Sequence, residues 1–242
     1  MYNLDFARAH NDFAEWQRAH PEDPMGPVSN AAAYLFSEFD RLHVLQSEFF
    51  TEDSRFTKRE QNLRPDPSAK RAFESALEDS QRLAKNALAK SPNDENALLA
   101  SILGQGLHAD YLALIEKRNL ASLAELKQSR TVAERLLALN PKCYDAYLAV
   151  GVENYLLSLK PAPVRWVLQL TGAQTDKQAG IERLRLTAEK GHYLLPYAKL
   201  LLAVADLRDK DIAAARNELS CLSAEFPGNQ LYREELQKLK GT

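Results

Sequence analysis

The chain has 242 residues, is 45% hydrophobic and 26% charged, and carries a formal net charge of −2 at pH 7. That length can bury a core without disulfide or metal staples, and the composition excludes a globally disordered chain. Charges of both signs are spread along it with no basic block, so no nucleic-acid partner is expected.

Glycine (9) and proline (11) are scarce and fall between long segments rich in Ala, Leu, Glu and Lys, with no alternating period-2 runs. This is the pattern of helices separated by breakers. A first helix is predicted over about 3–18, closed by Pro21, Pro24 and Pro27, and a second over about 28–51. A polar loop from Thr51 reaches Arg64-Pro65-Asp66-Pro67. A long helix then starts with Asp66 as N-cap and Pro67 at N1. It ends near Lys90, because Pro92 pushes Ser91 out of the helical region. Further helices are predicted over about 93–116, 119–140, 142–159, 176–190, 192–208, 210–226 and 229–240. Their connections are so short that neighbours must form antiparallel hairpins.

No apolar run reaches about 18 residues, so no transmembrane helix is expected. The start, Met1 to Phe6, lacks the basic stretch and apolar core of a signal peptide. The expectation is a soluble, cytoplasmic chain, or a periplasmic one if an export signal has been removed. Cys143 and Cys221 form no CxxC and have no histidine at metal-ligand spacing, and read as small buried helix residues. None of His10, His20, His43, His108 and His192 lies three or four residues from another. Asp110, two residues after His108, points elsewhere on a helix. Gly104-Gln-Gly106 is no phosphate loop, since no strand precedes it and no GK[ST] follows. Adjacent carboxylates such as Glu52-Asp53 and Glu234-Glu235 diverge by about 100° on a helix. No reaction can be assembled from these residues, so no cofactor, no metal and no enzymatic activity are expected.

Three helix ends share one form: Ala87-Leu-Ala-Lys-Ser-Pro92, Leu136-Leu-Ala-Leu-Asn-Pro141 and Leu222-Ser-Ala-Glu-Phe-Pro227. Each resembles the junction between tetratricopeptide repeats, units of about 34 residues whose second helix is closed by a proline. In that family a large residue stands six positions after the proline and a small one ten after. Tyr147 and Gly151 follow Pro141 in this way, and Leu98 fits after Pro92, where Ile102 replaces the small residue. Residues 196–229 match best, with Ala203, Ala215, Leu219 and Leu222 at packing positions and Pro227 closing the unit. More narrowly, 144–230 resembles the C-terminal half of the tetratricopeptide repeat protein 39 and inclusion body clearance protein group. The quoted stretches are Ala146-Tyr-Leu-Ala-Val-Gly151, Leu170-Thr-Gly172, Asp176, Gly180-Ile-Glu-Arg-Leu and Ala188-Glu-Lys-Gly191. Members of that group are non-enzymatic helical repeat proteins. The resemblance implies an all-α, right-handed α-α superhelix of antiparallel hairpins with about 9–10 helices; HEAT-like pairs are the fallback. One solenoid domain over 1–242 is expected. It divides into divergent helices and a loop (1–66), lengthened or interrupted hairpins (67–191), and a near-consensus repeat with a capping helix (192–242).

The stretch 161–172 interrupts a hairpin with Pro161, Pro163 and an apolar turn containing Val164, Val167, Leu168 and Leu170. It either folds back on the solenoid or docks a partner or a membrane surface through Arg165 and Trp166. In such a solenoid the first helix of each pair lines the concave side. The positions so placed are Asp145, Leu148, Val152, Tyr155 and Leu156; Tyr197, Leu200, Val204, Leu207 and Arg208; and, less securely, Asn96, Leu99, Leu103 and Leu107. Most are apolar, and the lysine and asparagine set that clamps a peptide carboxylate is missing. Either the N-terminal helices fill this groove with Leu4, Phe6, Phe13 and Trp16, or an apolar or helical segment of a partner does. Tyr147 and Tyr193 read as hairpin packing. The function expected is a protein-interaction scaffold, with Asp145, Leu148, Val152, Tyr155, Tyr197, Arg165 and Trp166 as its binding residues. The alternative is a carrier of an apolar small molecule or lipid inside the superhelix.

Overall fold

The computed structural model describes residues 1–45, 63–159 and 175–239. Within them the chain is all-helical, with no strand: α1 Phe6–Ala19, α2 Met25–Arg41, α3 Pro67–Lys90, α4 Glu95–Asp110, α5 Asn119–Leu139, α6 Ala146–Ser158, α7 Lys177–Lys190, α8 Leu195–Arg208, α9 Ile212–Glu225 and α10 Gln230–Lys238.

Local chemistry explains most of these boundaries. Asp66 caps α3 by accepting from Ser68 N at 2.9 Å, with Pro67 in the first turn. Asp94 accepts from Ala97 N, and Asn229 from Leu231 N, at the starts of α4 and α10. At the three proline junctions the preceding residue leaves the helical region: Ser91 at φ −137, Asn140 at φ −138 and Phe226 at φ −121. Each still donates its N–H to the residue four back, satisfying a terminal carbonyl.

Two boundaries differ from the prediction. Pro27 does not close the first helix but sits in the first turn of α2, where its missing N–H has no intrahelical partner to lose. At its far end α2 stops at Arg41, ten residues short of expectation. His43 adopts φ 56 and Val44 N donates to Phe39 O at 2.9 Å, the left-handed termination that closes many helices. Beyond α4 the helix widens into one π turn, Tyr111–Ile115, in which Glu116 N reaches back to Tyr111 O. No spacing rule anticipated this turn. By length and composition alone the segment Glu95–Ile115 could cross a membrane, contrary to the sequence expectation. More than half of its most apolar stretch is buried inside the fold, as in the core helix of a soluble protein.

Each helix packs on the next, and α4 also packs on both α2 and α6. Thus α2, α4 and α6 lie side by side, with α3 and α5 each packed on two of them. The largest buried apolar cluster runs from α2 to α6 and includes Leu35, Phe39, Phe73, Leu98 and Leu136. Smaller clusters join α6 to α8 and α8 to α10. A buried ion pair, Arg130 with Glu153 at 3.1 Å, ties α5 to α6. Burial outweighs the arginine and raises the Glu153 carboxyl.

The two ends of the chain meet. Tyr2 Oη donates to Tyr193 O at 2.8 Å, Asn229 Nδ2 donates to Tyr2 O at 3.0 Å, and Gly228 N donates to Asn3 Oδ1 at 3.0 Å. The Tyr2 ring lies 5.4 Å from Phe226. Leu4, at φ 58, turns the chain from this docked arm into α1. On the next layer, Phe36 of α2 meets Tyr197 of α8 edge to face at 5.6 Å.

Candidate functional site: a cavity behind the N-terminal arm

The inner faces of α2, α4 and α6 and the start of α8 surround a cavity of about 740 Å³. That lies within the roughly 300–1,000 Å³ of small-molecule sites. Met1, Tyr2 and the α1 residues Asp12, Phe13 and Trp16 line another side, and the space opens to solvent. Trp16 and Tyr193, each about half exposed, bring one end to the surface. The wall is mostly apolar, with Val28, Phe36, Leu103, Leu107, Leu126, Leu148 and Val152 among its side chains. Gly106 faces this space directly, and a Cβ built there would meet nothing within 4 Å.

Asp110, the last residue of α4, is a carboxylate on this wall. It accepts from Tyr197 Oη at 3.3 Å, its one hydrogen bond among the described residues. Burial pushes its carboxyl up to about 7 against the smaller opposing effect of the Tyr197 hydrogen bond. The Tyr197 phenol is raised in turn, by its own burial and then by the carboxylate beside it. The other two wall carboxylates differ. Asp23 is saturated by Trp16 Nε1 at 2.8 Å, Asn96 Nδ2 at 2.7 Å and Met25 N at 2.9 Å. Asp12 is exposed at the rim, 3.8 Å from Arg8.

Of the expected binding residues, Leu148, Val152 and Tyr197 line the cavity, as do Asn96, Leu103 and Leu107 of the less secure register. Asp145 does not. It is 4% exposed, and its carboxylate accepts from the backbone N–H groups of His192, Tyr193 and Leu194, holding the turn that starts α8. Tyr155 also lies off the wall, at 6% exposure in the cluster between α6, α7 and α8. Burial raises its phenol to about 12. Arg165, Trp166 and the rest of 161–172 lie outside the described residues. Phe13 and Trp16 cover the groove as a self-filling N-terminus would, but they leave a space behind them. Leu4 and Phe6 instead line a small gap of about 30 Å³ with Phe36, Leu45 and Leu200. Tyr193, read as packing, stands at the cavity's surface end.

Sequence reasoning missed Gly106 and Asp110. A signal was present: Leu103, Gly106, Leu107 and Asp110 recur at helical spacing, so the acid that ends this largely apolar helix shares a face with the predicted positions Leu103 and Leu107. The cysteines also differ from expectation, Cys143 being half-buried in the turn before α6 and Cys221 exposed on α9, both as free thiols. Among the described residues no group of three or more His, Cys, Asp or Glu side chains gathers around a point able to hold a metal ion. Comparison of the chain with family models, with curated proteins and with solved structures finds no match in any of the three.

Proposed function

We propose that this chain is a non-enzymatic binding protein, a tetratricopeptide-like solenoid curled around an internal site for one apolar or amphipathic small molecule. The observation that carries this reading is the space of about 740 Å³ left behind the docked N-terminal arm. A pocket of this size with a mostly apolar wall and a few polar groups has the character of a ligand site. A peptide helix lying in the same groove would have to displace α1. That helix is held by the ring contact of His10 with Tyr34 at 4.2 Å and by the arm bonded to Tyr193 and Asn229. This favours a small molecule over the partner segment expected from the repeat register. The non-enzymatic reading rests on the wall chemistry: among the described residues it carries no cysteine or lysine, and the Ser129 hydroxyl is committed to Ile102 O at 3.1 Å.

The test is titration with N-phenyl-1-naphthylamine, a fluorescent probe that is uncharged at neutral pH. One saturable site per chain is expected in the native protein. Gly106→Phe, which fills the cavity without meeting protein atoms at its Cβ, should abolish that site while the far-ultraviolet circular dichroism stays unchanged. Equal probe binding by native and filled protein would overturn the assignment.

A further inference from the structure

We infer that the molecule held in this cavity is an amphiphile with a cationic, ammonium-type head, its head at Asp110 and its apolar body along α2 and α6. The inference rests on the cavity reading above and adds the chemistry of the ligand. Among the described residues the side chains on the wall include three carboxylates and no lysine or arginine, and the cation beside them is the Met1 α-ammonium, whose charged form burial disfavours. An anionic head entering there would be desolvated beside like charge with no side-chain cation to neutralise it. A cationic head would meet the opposite situation.

Among the three carboxylates the geometry selects Asp110. Asp23 already accepts three hydrogen bonds, and Asp12 stands at the exposed rim. Among the described residues Asp110 has one hydrogen-bond partner, Tyr197 Oη on Oδ2, which leaves Oδ1 for a ligand N–H. A charge-assisted bond at that depth is shorter and roughly twice as strong as a neutral one. Aromatic rings complete the site. Tyr197 and Phe36 stand on the wall with Phe13, and Trp16 and Tyr193 stand at the surface end. Ring faces attract ammonium groups, by up to about 2 kcal/mol when desolvated, and the same rings cover an apolar body. A neutral alcohol would satisfy the carboxylate but gain neither the ionic nor the cation–π contribution.

The experiment displaces N-phenyl-1-naphthylamine with three ligands of one tail length, n-decylammonium, n-decanol and n-decanoate, at pH 8. The ammonium should displace the probe at a concentration at least about tenfold lower than the alcohol, and the carboxylate should be the weakest of the three. In Asp110→Asn, a near-isosteric change checked for folding by thermal melting, the ammonium and alcohol should converge to within about threefold, since alcohol binding is retained. Decanoate competing as well as the ammonium would overturn the inference, and so would an ammonium preference that survives in Asp110→Asn. The two readings fail separately. A probe that does not bind removes the cavity site and this inference with it; a probe that binds and is displaced alike by all three ligands removes only the cationic head.

Discussion

The α6–α7 crossing and the inner face of α4 both carry glycines inside helices, for opposite reasons. At the crossing, a Cβ on Gly180 would lie 2.8 Å from Tyr155 N, and one on Gly151 would lie 3.0 Å from Gly180 O. Backbone meets backbone there, and only a hydrogen fits. On α4, a Cβ on Gly106 would meet nothing within 4 Å. The first pair brings two helices into contact, while Gly106 deepens a space between helices. One residue type thus marks a tight seam between helices and an open stretch of wall, and only the neighbours distinguish them.

Three substitutions would sharpen or break this contrast. The largest effect is expected from Gly180→Leu, because the clash is with main chain that cannot swing aside. A loss of about 3 kcal/mol or more is expected from overpacking, read as a fall in the denaturation midpoint. A stability change under about 0.5 kcal/mol would show that the seam is not tight.

Next is Asp110→Asn, whose effect depends on pH. Between the ordinary aspartate value of 3.8 and the folded value of about 7, the folded chain holds a proton that the unfolded chain has released. Stability contributed by this group is therefore present at low pH and is lost as pH rises through 7. Asparagine removes that loss. The variant should gain on the native protein by on the order of 2 kcal/mol between pH 5 and pH 8, measured by urea unfolding at both values. Parallel stability curves would show that the carboxyl is not buried as described.

The smallest effect is Gly106→Ala. The methyl enters open space and removes backbone freedom from the unfolded chain, so the variant should be about 0.5–1 kcal/mol more stable. A destabilised Gly106→Ala would mean that the wall is closed at this point.

Much of the framework was legible in the chain. Caps, breakers and helix propensity act over a few residues, so the starts and stops at Asp66, Pro67, Ser91 and Asn140 were visible, as was the small residue at Gly151. The inner-facing register predicted from Pro92, Pro141 and Pro227 included six residues that do line the cavity. It failed where a side chain serves another part of the fold. Asp145 is a polar residue at an inner position by spacing, yet its carboxylate is taken by three N–H groups some 47–49 residues away, at the start of α8. No local rule sees a partner at that distance. The π turn after Asp110 and the left-handed His43 were likewise invisible, since both depend on what the helix ends pack against.

From the amino-acid sequence came the helical character of the chain and where most helices begin and end. Those properties follow from interactions within one or two helical turns. The tertiary structure adds that residues of α2, α4 and α6 line a common space. The docking of Tyr2 and Asn3 on Tyr193, Gly228 and Asn229 spans 191 to 227 residues of sequence, and it is this closure that turns an inner face into a cavity. It also sets Asp110 against Tyr197, 87 residues apart. Burial, unlike helix propensity, depends on everything that folds around a residue, and it is what raises the Asp110 carboxyl.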